Sequence, residues 1–208
     1  MAKEVIVETK GIKTEMAVVK IVGDTDLVLN KMNKPTERAL TDARKNKAKG
    51  TANVDEYEAI MTSMHWRDGD PTDFSKEGFE RALKENAPCI SAFGLRKSFG
   101  DAVVRNNIDK FATKFMASVN ILAPGNLVPI KFAEHYVDEK LMSPKKGAPV
   151  LARLNRFTGW SAEITISYVE NAYSLEQICE IISLAGFGIG IGSGRSSGYG
   201  RYHIEGLR

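Results

Sequence analysis

A glycine-rich segment near the end of the chain has the residue types best suited to binding a charged, planar ligand. Between Gly186 and Gly200, seven of the fifteen residues are glycine. Glycine adopts positive φ readily and has no side chain, so successive backbone N–H groups can converge on an anion. A nucleic acid offers both phosphates and flat rings, and the sequence predicts that this loop binds one. The residues expected to make the contacts are Gly190, Gly192, Gly194, Arg195, Tyr199, Arg201 and Tyr202.

Two kinds of nucleotide-binding loop fit the sequence less well, and an architectural loop is a further alternative. A Walker-type phosphate loop ends in Gly-Lys-Ser/Thr, and that tripeptide does not occur in this chain. A dinucleotide fingerprint places its glycines at the start of a helix, whereas these glycines follow a predicted helix over Ser174–Ala185. A purely architectural loop stays open as an alternative, with Gly186 as the helix C-cap and the remaining residues packed against a sheet.

A second candidate surface lies between Lys31 and Gly50. This segment has seven basic and two acidic residues and almost no large apolar residue. Such a composition predicts an exposed loop or arm, although a solvated loop without a partner would have the same composition. The nucleic-acid contacts expected from this basic arm are Lys31, Arg44, Lys45, Lys47 and Lys49.

Hydrophobic periodicity predicts the elements that position these surfaces. Extended segments are expected at 16–22, 27–29, 111–122, 128–137 and 160–170, and helices at 75–87, 92–104 and 174–185. Segment 55–64 is compatible with either a helix or a strand. This order predicts a single α+β domain with a ferredoxin-like or RNA-recognition-motif-like core, extended by insertions at about 30–56 and 123–155.

Composition and cysteine spacing limit the class of protein and the cellular compartment that we expect. A chain of 208 residues that is 43% hydrophobic can bury a sizeable core. Cys89 and Cys179 have no CxxC spacing and predict reduced thiols rather than a zinc site or a disulfide. No signal peptide or membrane-spanning run is recognised. We therefore expect a cytoplasmic protein with no membrane partner, no metal and no cofactor.

Both ends of the chain resemble the RAMP superfamily, the repeat-associated RNA-binding proteins of CRISPR systems. The run Gly-Ile-Gly-Ser-Gly-Arg-Ser-Ser-Gly-Tyr-Gly-Arg-Tyr before a strand is similar to the family's glycine loop. Residues 21–30 resemble its first strand and turn, with Asp26 where proline is usual. Residues 67–71, followed by 79–83, resemble the entry to its first helix. The full layout is similar to uncharacterised RAMP-like proteins of phages and prophages.

The resemblance implies a protein that binds single-stranded DNA or RNA across its sheet and along the glycine loop, largely without sequence preference. It also implies repeated copies along the strand, with the basic arm as a thumb-like extension, in a bacterial host cell if the protein is phage-encoded. Such binding combines cations for phosphates with aromatic faces for bases. The stacking candidates are Trp66, Tyr199 and Tyr202, and further cationic contacts are expected from Arg67, Arg96 and Lys97.

Two other function classes stay open. Some RAMP proteins are metal-independent endoribonucleases that use histidine as a general acid or base. His65 and His203 are the weak catalytic candidates, and neither has an obvious histidine or lysine partner in the sequence. The third class is a structural or assembly protein, in which the loop and arm contact other proteins. Salt separates the classes, because binding through several phosphates weakens steeply as salt rises.

Overall fold

The computed structural model of the chain describes residues 11–44, 55–142 and 150–206. The strands in this part of the chain are β1 (Thr14–Gly23), β2 (Leu27–Leu29), β3 (His65–Trp66), β4 (Pro88–Ser91), β5 (Val119–Ile121), β6 (Leu127–Lys131), β7 (Glu134–Met142), β8 (Val150–Thr158), β9 (Ser161–Val169) and β10 (Tyr202–Ile204). The helices are α1 (Lys34–Arg44), α2 (Glu56–Thr62), α3 (Lys76–Glu85), α4 (Ala92–Arg105), α5 (Thr113–Ser118) and α6 (Leu175–Gly188).

The main sheet has a ferredoxin-like core. Its strands follow the order β10-β1-β9-β6-β4-β3, with β5 also paired to β9, and every pairing is antiparallel. Helix α4 lies between β1 and β5 in the chain, and α6 lies between β9 and β10. Strand, helix, strand pair, helix, strand, with the last strand beside the first, is the split βαβ arrangement of ferredoxin-like folds. The predicted α+β fold class is confirmed.

Strand β9 shows how the core is built. Its burial alternates along the strand, and Ile164 and Ile166 have no exposed surface. This settles the register that the sequence left open, since the even-numbered side chains face the core. They belong to one buried cluster with Leu95 and Phe99 of α4 and Ile182 of α6. The two helices therefore cover one face of the sheet.

A second sheet of order β2-β8-β7 stands beside the core. Its buried Asn155 donates hydrogen bonds to the Ile60 carbonyl at 3.0 Å and to Ser63 Oγ at 2.9 Å. A buried side-chain amide without hydrogen-bond partners would destabilise the fold, and these two bonds remove that cost. These bonds hold the end of α2, and hence the start of β3, against this second sheet.

The basic arm differs from the predicted loop. Residues 34–44 form helix α1, because Asn33 Oδ1 accepts the Thr36 N–H at 2.9 Å and Pro35 occupies the first turn. The described side chains of α1 are mostly exposed, as expected. The predicted contacts Lys45, Lys47 and Lys49, and the side chain of Arg44, lie outside the described residues.

Two further predictions were wrong. The segment 111–122 was expected to be a strand, but it contains α5 followed by the short β5. Phe115 is the buried residue of α5, whereas Val119 is buried in the extended backbone of β5. Apolar residues over so short a segment do not distinguish one helical turn followed by a short strand from a single longer strand. Gly186 is not a helix C-cap, because α6 continues through Gly188. A Cβ at Gly186 would lie 2.1 Å from the Tyr202 carbonyl oxygen, so its role is close packing against β10.

None of the helices in the described part of the chain combines the length and apolarity needed to cross a membrane.

Candidate nucleic-acid interface

An exposed stripe runs along α4. The helix follows β4 directly, and Ser91 Oγ caps it by accepting the Gly94 N–H at 3.4 Å. Phe93, Lys97, Asp101 and Arg105 recur every four residues and therefore lie along neighbouring positions of one helix face. Two hollows border this stripe and share Gly192, Ser193 and Arg195 of the glycine loop as lining residues. Together we call these hollows the α4 groove.

The first hollow, of about 240 Å³, lies at the N-terminal half of α4. It is formed by the end of β2, the α2–β3 junction, β4, the first turns of α4 and the glycine loop. Its basic side chains are Lys31, Lys97 and Arg195, and His65 also lines it. Lys31 Nζ lies 3.5 Å from Asp70 Oδ1, so its charge is partly balanced.

The second hollow, of about 520 Å³, lies at the C-terminal half of α4. Arg105, Arg195 and Arg201 line it together with Asp101. Arg201 Nη2 donates to the Arg195 carbonyl at 3.4 Å, whereas its buried Nη1 has no hydrogen-bond acceptor among the described residues. A buried donor without a partner costs free energy.

Most of the cations in the groove are free of internal carboxylate partners. Within residues 11–44, 55–142 and 150–206, none of the ion pairs involves Lys97, Arg105, Arg195 or Arg201. Asp101 is the acidic side chain that the described lining contributes. The groove therefore has an excess of positive charge available to a ligand.

The glycines of the loop mainly allow the chain to pack against itself. Gly192 has φ of +75°, and a Cβ there would lie 2.5 Å from the Val28 carbonyl oxygen of β2. At Gly200 a Cβ would lie 1.9 Å from the Ile191 carbonyl oxygen. Backbone hydrogen bonds that fasten the loop include those from Ser193 N to Val28 O, from Gly200 N to Asp26 O and from Ile191 N to Gly200 O. The architectural role considered in the sequence analysis is thus present at these positions.

Packing does not use every backbone donor of the loop. The N–H groups of Gly192, Gly194 and Arg195 donate no hydrogen bond to the described residues. All three residues line the second hollow, beside the side chains of Arg105 and Arg201. Free N–H groups of glycine-rich turns next to cations can bind an anion. The loop therefore combines an architectural role with backbone donors that are free to bind an anion.

The structure brings together part of the predicted set. Lys31, Lys97, Gly192, Arg195 and Arg201 line the α4 groove, and Gly194 joins them in the second hollow. Gly190 is buried, with φ of +73°, and its carbonyl accepts from Ser98 Oγ at 2.9 Å.

Two predicted cations lie elsewhere. Arg96 points to the other side of α4 and donates to the Met116 carbonyl of α5. Arg67 Nη2 pairs with Asp68 Oδ2 at 2.6 Å and lines a separate hollow of the main sheet with Val18 and Lys131. Neither side chain lines the groove, so we do not include them in the interface.

The predicted stacking residues need correction. Trp66 and Tyr202 are each 1% exposed, so neither offers a ring face to a base. Trp66 Nε1 donates to the Met61 carbonyl at 2.7 Å, as expected of a buried indole. Tyr199 is half-buried, and its ring centroid lies 4.8 Å from Arg156 Cζ. Its ring is therefore engaged in a cation–π contact within the protein.

Arg156 connects the second sheet to the glycine loop. Its guanidinium lies between the rings of Tyr136 and Tyr199, at 5.0 and 4.8 Å. Nη2 pairs with Asp26 Oδ2 at 2.6 Å and Nη1 with Asp138 Oδ2 at 3.0 Å. Planar guanidinium groups suit this combination of stacking and charge pairing. The cluster fastens β7 and β8 to the β1–β2 turn and the glycine loop.

The two candidate histidines have different surroundings. His65 lies in the first hollow, where burial lowers its pKa and the charge of Lys31 lowers it further, against a smaller opposite effect of Asp70. His203 Nδ1 lies 2.6 Å from Asp24 Oδ1, and His203 does not line either hollow. Cys89 also lines the first hollow, but burial raises the pKa of its thiol to about 11. A thiol with that pKa is a poor nucleophile at neutral pH.

In the described part of the chain, no three His, Cys, Asp or Glu side chains converge in an arrangement that could hold a metal ion.

Comparison with known proteins gives a distant similarity. No protein-family model matches the sequence, and no curated protein matches it significantly. Among solved structures, Cmr6 from Pyrococcus furiosus is similar with a TM-score of 0.44 at 10% sequence identity, over 92% of this chain and 98% of that chain. Function is therefore inferred below from the residues of this chain.

Sequence reasoning missed one lining residue of the groove and two exposed phenylalanines that directly precede lining residues in the chain. Arg105 lines the second hollow, and Phe93 and Phe187 are exposed beside the lining residues Gly94 and Gly188. The four-residue spacing from Phe93 to Arg105 could have indicated a shared helix face. Phe187 carries a weaker signal, since an aromatic between two glycines is compatible with either core or surface.

Proposed function

We propose that the protein binds single-stranded nucleic acid, DNA or RNA, with the phosphate backbone lying along the α4 groove. The observation that carries this proposal is the set of four cations, Lys97, Arg105, Arg195 and Arg201, that line one groove without carboxylate partners among the described residues.

The dimensions of the groove suit a short stretch of one strand. Lys97 and Arg105 are eight residues apart on α4, which is about 12 Å along the helix axis. Successive phosphates in a stacked strand advance by about 3.4 Å each, so this interval corresponds to three or four nucleotides. The second hollow, of about 520 Å³, lies within the usual range of small-molecule sites, and the first, of about 240 Å³, lies just below it. Spaces of this size suit single nucleotides of an unpaired strand better than the width of a duplex.

Phosphate contacts carry no sequence information, so binding is expected to tolerate many sequences. The N–H groups of Gly192, Gly194 and Arg195 that donate to none of the described residues would donate to the same phosphate oxygens. The test is fluorescence anisotropy with labelled oligothymidylate, oligouridylate and a duplex of equal length. For four phosphate contacts the logarithm of the association constant should fall with the logarithm of salt concentration at a slope of about −2.8.

Two variants localise the site. Replacing both Lys97 and Arg105 by Ala should reduce the magnitude of that slope by about 1.4, because each lost phosphate contact removes about 0.7 on single strands. The matched control is Lys84→Ala, which removes an exposed charge from α3, outside the groove. Equal affinity for duplex and single strand, or a double variant that behaves like Lys84→Ala, would contradict the proposal.

His65 provides a reason to test a second activity, RNA cleavage without a metal. It lies among Lys31, Lys97 and Arg195 in the first hollow, and its lowered pKa keeps it neutral and able to accept a proton at neutral pH. The same binding reactions, run with chelator on denaturing gels, test this activity. Products that vanish with His65→Ala would support cleavage, and intact RNA after long incubation would exclude it under those conditions.

Assembly of several copies along one strand is a separate proposal that rests on the family resemblance. Strands of increasing length should then bind a stepwise increasing number of protein copies, measured by mass photometry. A single copy on every length would contradict assembly and leave the α4 groove unaffected.

A further inference from the structure

Two phenylalanines beside the α4 groove are unusually exposed. Phe93 has 63% and Phe187 has 86% of its surface accessible. Aromatic side chains with accessible ring faces beside a cationic groove are what bases stack on when a protein binds a single strand. Both are therefore candidates for ligand contact.

Each phenylalanine is next in the chain to a residue that lines one end of the groove. Phe93 lies one helical turn before Lys97 on the same stripe of α4, next to Gly94 of the first hollow. Phe187 lies in the last turn of α6, next to Gly188 of the second hollow. The loop after α6 follows α4 in between, since Ser98 Oγ donates to the Gly190 carbonyl at 2.9 Å. At each end of the row of cations an exposed phenylalanine therefore directly precedes a lining residue in the chain.

The other aromatic candidates are already occupied by the fold. Trp66 and Tyr202 are buried, and Tyr199 stacks on Arg156. Single-stranded nucleic-acid binding combines a cationic groove with free aromatic faces. In the described part of the chain, Phe93 and Phe187 are the exposed aromatic rings adjacent to lining residues of the groove.

We propose that Phe93 and Phe187 are base-stacking residues, and that the ligand is an unpaired strand whose bases contact one ring at each end of the α4 groove. This inference rests on the proposed function and adds which part of the ligand is recognised besides its phosphates. Paired bases in a duplex do not offer their faces, so the stacking residues also give a physical reason for preferring single strands.

The experiment compares a strand that has bases with one that lacks them. Oligothymidylate and an abasic strand of the same length carry the same phosphates, so their affinity ratio reports contacts to bases. The wild-type protein should bind oligothymidylate more tightly. Phe93→Leu or Phe187→Leu should each lower this preference by roughly 5- to 150-fold, the range for one stacked base. The salt slope should stay as in the wild type because the phosphate contacts remain.

Phe111 offers a matched control. It is 62% exposed, close to the value of Phe93, and neither it nor its chain neighbours Lys110 and Ala112 line a hollow, whereas Phe93 and Phe187 directly precede lining residues. Phe111→Leu removes an equally exposed ring and should leave both the affinity and the base preference unchanged. Circular dichroism melting of all three variants confirms that they are folded.

A tryptophan variant gives a direct readout. Trp66 and Trp160 are 1% and 0% exposed, so their emission should respond little to a ligand on the surface. In Phe187→Trp the new indole should retain the base preference, and its emission should be quenched by oligothymidylate and not by the abasic strand.

The possible outcomes separate this inference from the proposed function. If the wild type binds neither strand, the proposed function and the inference both fail. If it binds both strands equally, or if the Leu variants keep the wild-type preference, the groove binds phosphates and the stacking residues are refuted. If Phe187→Leu changes only the oligomeric state, Phe187 is a contact between proteins and the inference is likewise overturned.

Discussion

Replacing Gly192 by Ala tests whether the glycine loop is held by packing against β2. The residue has φ of +75°, and an added Cβ would lie 2.5 Å from Val28 O and 2.8 Å from Leu27 Cδ1. The left-handed conformation costs a residue with a Cβ about 1–2 kcal/mol. Contact with a backbone carbonyl cannot be relieved by a rotamer change, and overpacking of this kind costs about 1–3 kcal/mol more. We expect the free energy of unfolding to fall by about 2–5 kcal/mol.

Gly198→Ala separates the two contributions. Gly198 also has positive φ, at +87°, but a Cβ there meets nothing within 4 Å. Its variant should therefore lose only the conformational part of the free energy. For a chain of this size 1 kcal/mol shifts Tm by about 2–4 °C. Differential scanning calorimetry should accordingly place the Tm of Gly192→Ala about 2–12 °C below that of Gly198→Ala. Equal Tm values for the two variants would refute close packing at Gly192.

Three further predictions concern charge. Asp101→Asn removes the acidic side chain from the second hollow, so single-strand affinity should rise, most strongly at low salt, as measured by fluorescence anisotropy. Arg156→Ala removes hydrogen bonds to two carboxylates and should lower the free energy of unfolding by about 1.5–3 kcal/mol, measured by urea titration. Burial lowers the pKa of His65 and of His135 below their ordinary value of 6.5. The folded protein thus binds protons at these histidines more weakly than the unfolded chain does. The free energy of unfolding should therefore have its full value above about pH 6.5 and fall as the pH drops below it. Urea titrations across pH should show this loss, and His65→Gln should reduce it.

Each of these has a control and a contrary result. Glu80→Gln removes an exposed carboxylate from α3 and should not alter the affinity for single-stranded nucleic acid. An equal gain in affinity in this variant would mean that Asp101→Asn acts only through the net charge of the protein. Arg81→Ala breaks an exposed pair with Asp73, with side chains 55% and 47% accessible, and should cost at most about 1 kcal/mol. An Arg156→Ala cost no larger than this would mean that its cluster does not stabilise the fold. A pH dependence unchanged in His65→Gln would exclude that histidine as a contributor.

Local signals identified much of the secondary structure. Ser75 caps α3 by accepting the Gly78 N–H at 3.0 Å, and Ser174 forms a capping box with Gln177 before α6. Strand β9 follows the strict alternation read at 160–170. These elements were predictable because caps and periodicity involve residues only a few positions apart. The same kind of signal was present and missed at Asn33 and Pro35, where low hydrophobicity favoured a loop.

The candidate site was only partly predictable. Cationic residue types indicated a nucleic acid, but Arg96 and Lys97 are neighbours in sequence and lie on different sides of α4. A rotation of about 100° per residue separates them, and the sequence does not show which side faces the glycine loop. Burial was equally hidden, since Trp66 and Tyr202 could each have been a surface ring.

By itself, the sequence determined the α+β class, the positions of β1, β9, α3, α4 and α6, and the concentration of glycine and arginine near the end of the chain. These properties depend on local conformational preference and on composition. Only the tertiary structure decided that Lys31, Lys97 and Arg195 line one hollow, because they come from distant segments that meet only when the β2 end, α4 and the glycine loop pack together. It also decided that the loop glycines face the protein's own carbonyls, since the distance between two backbones is a property of packing and not of either segment alone.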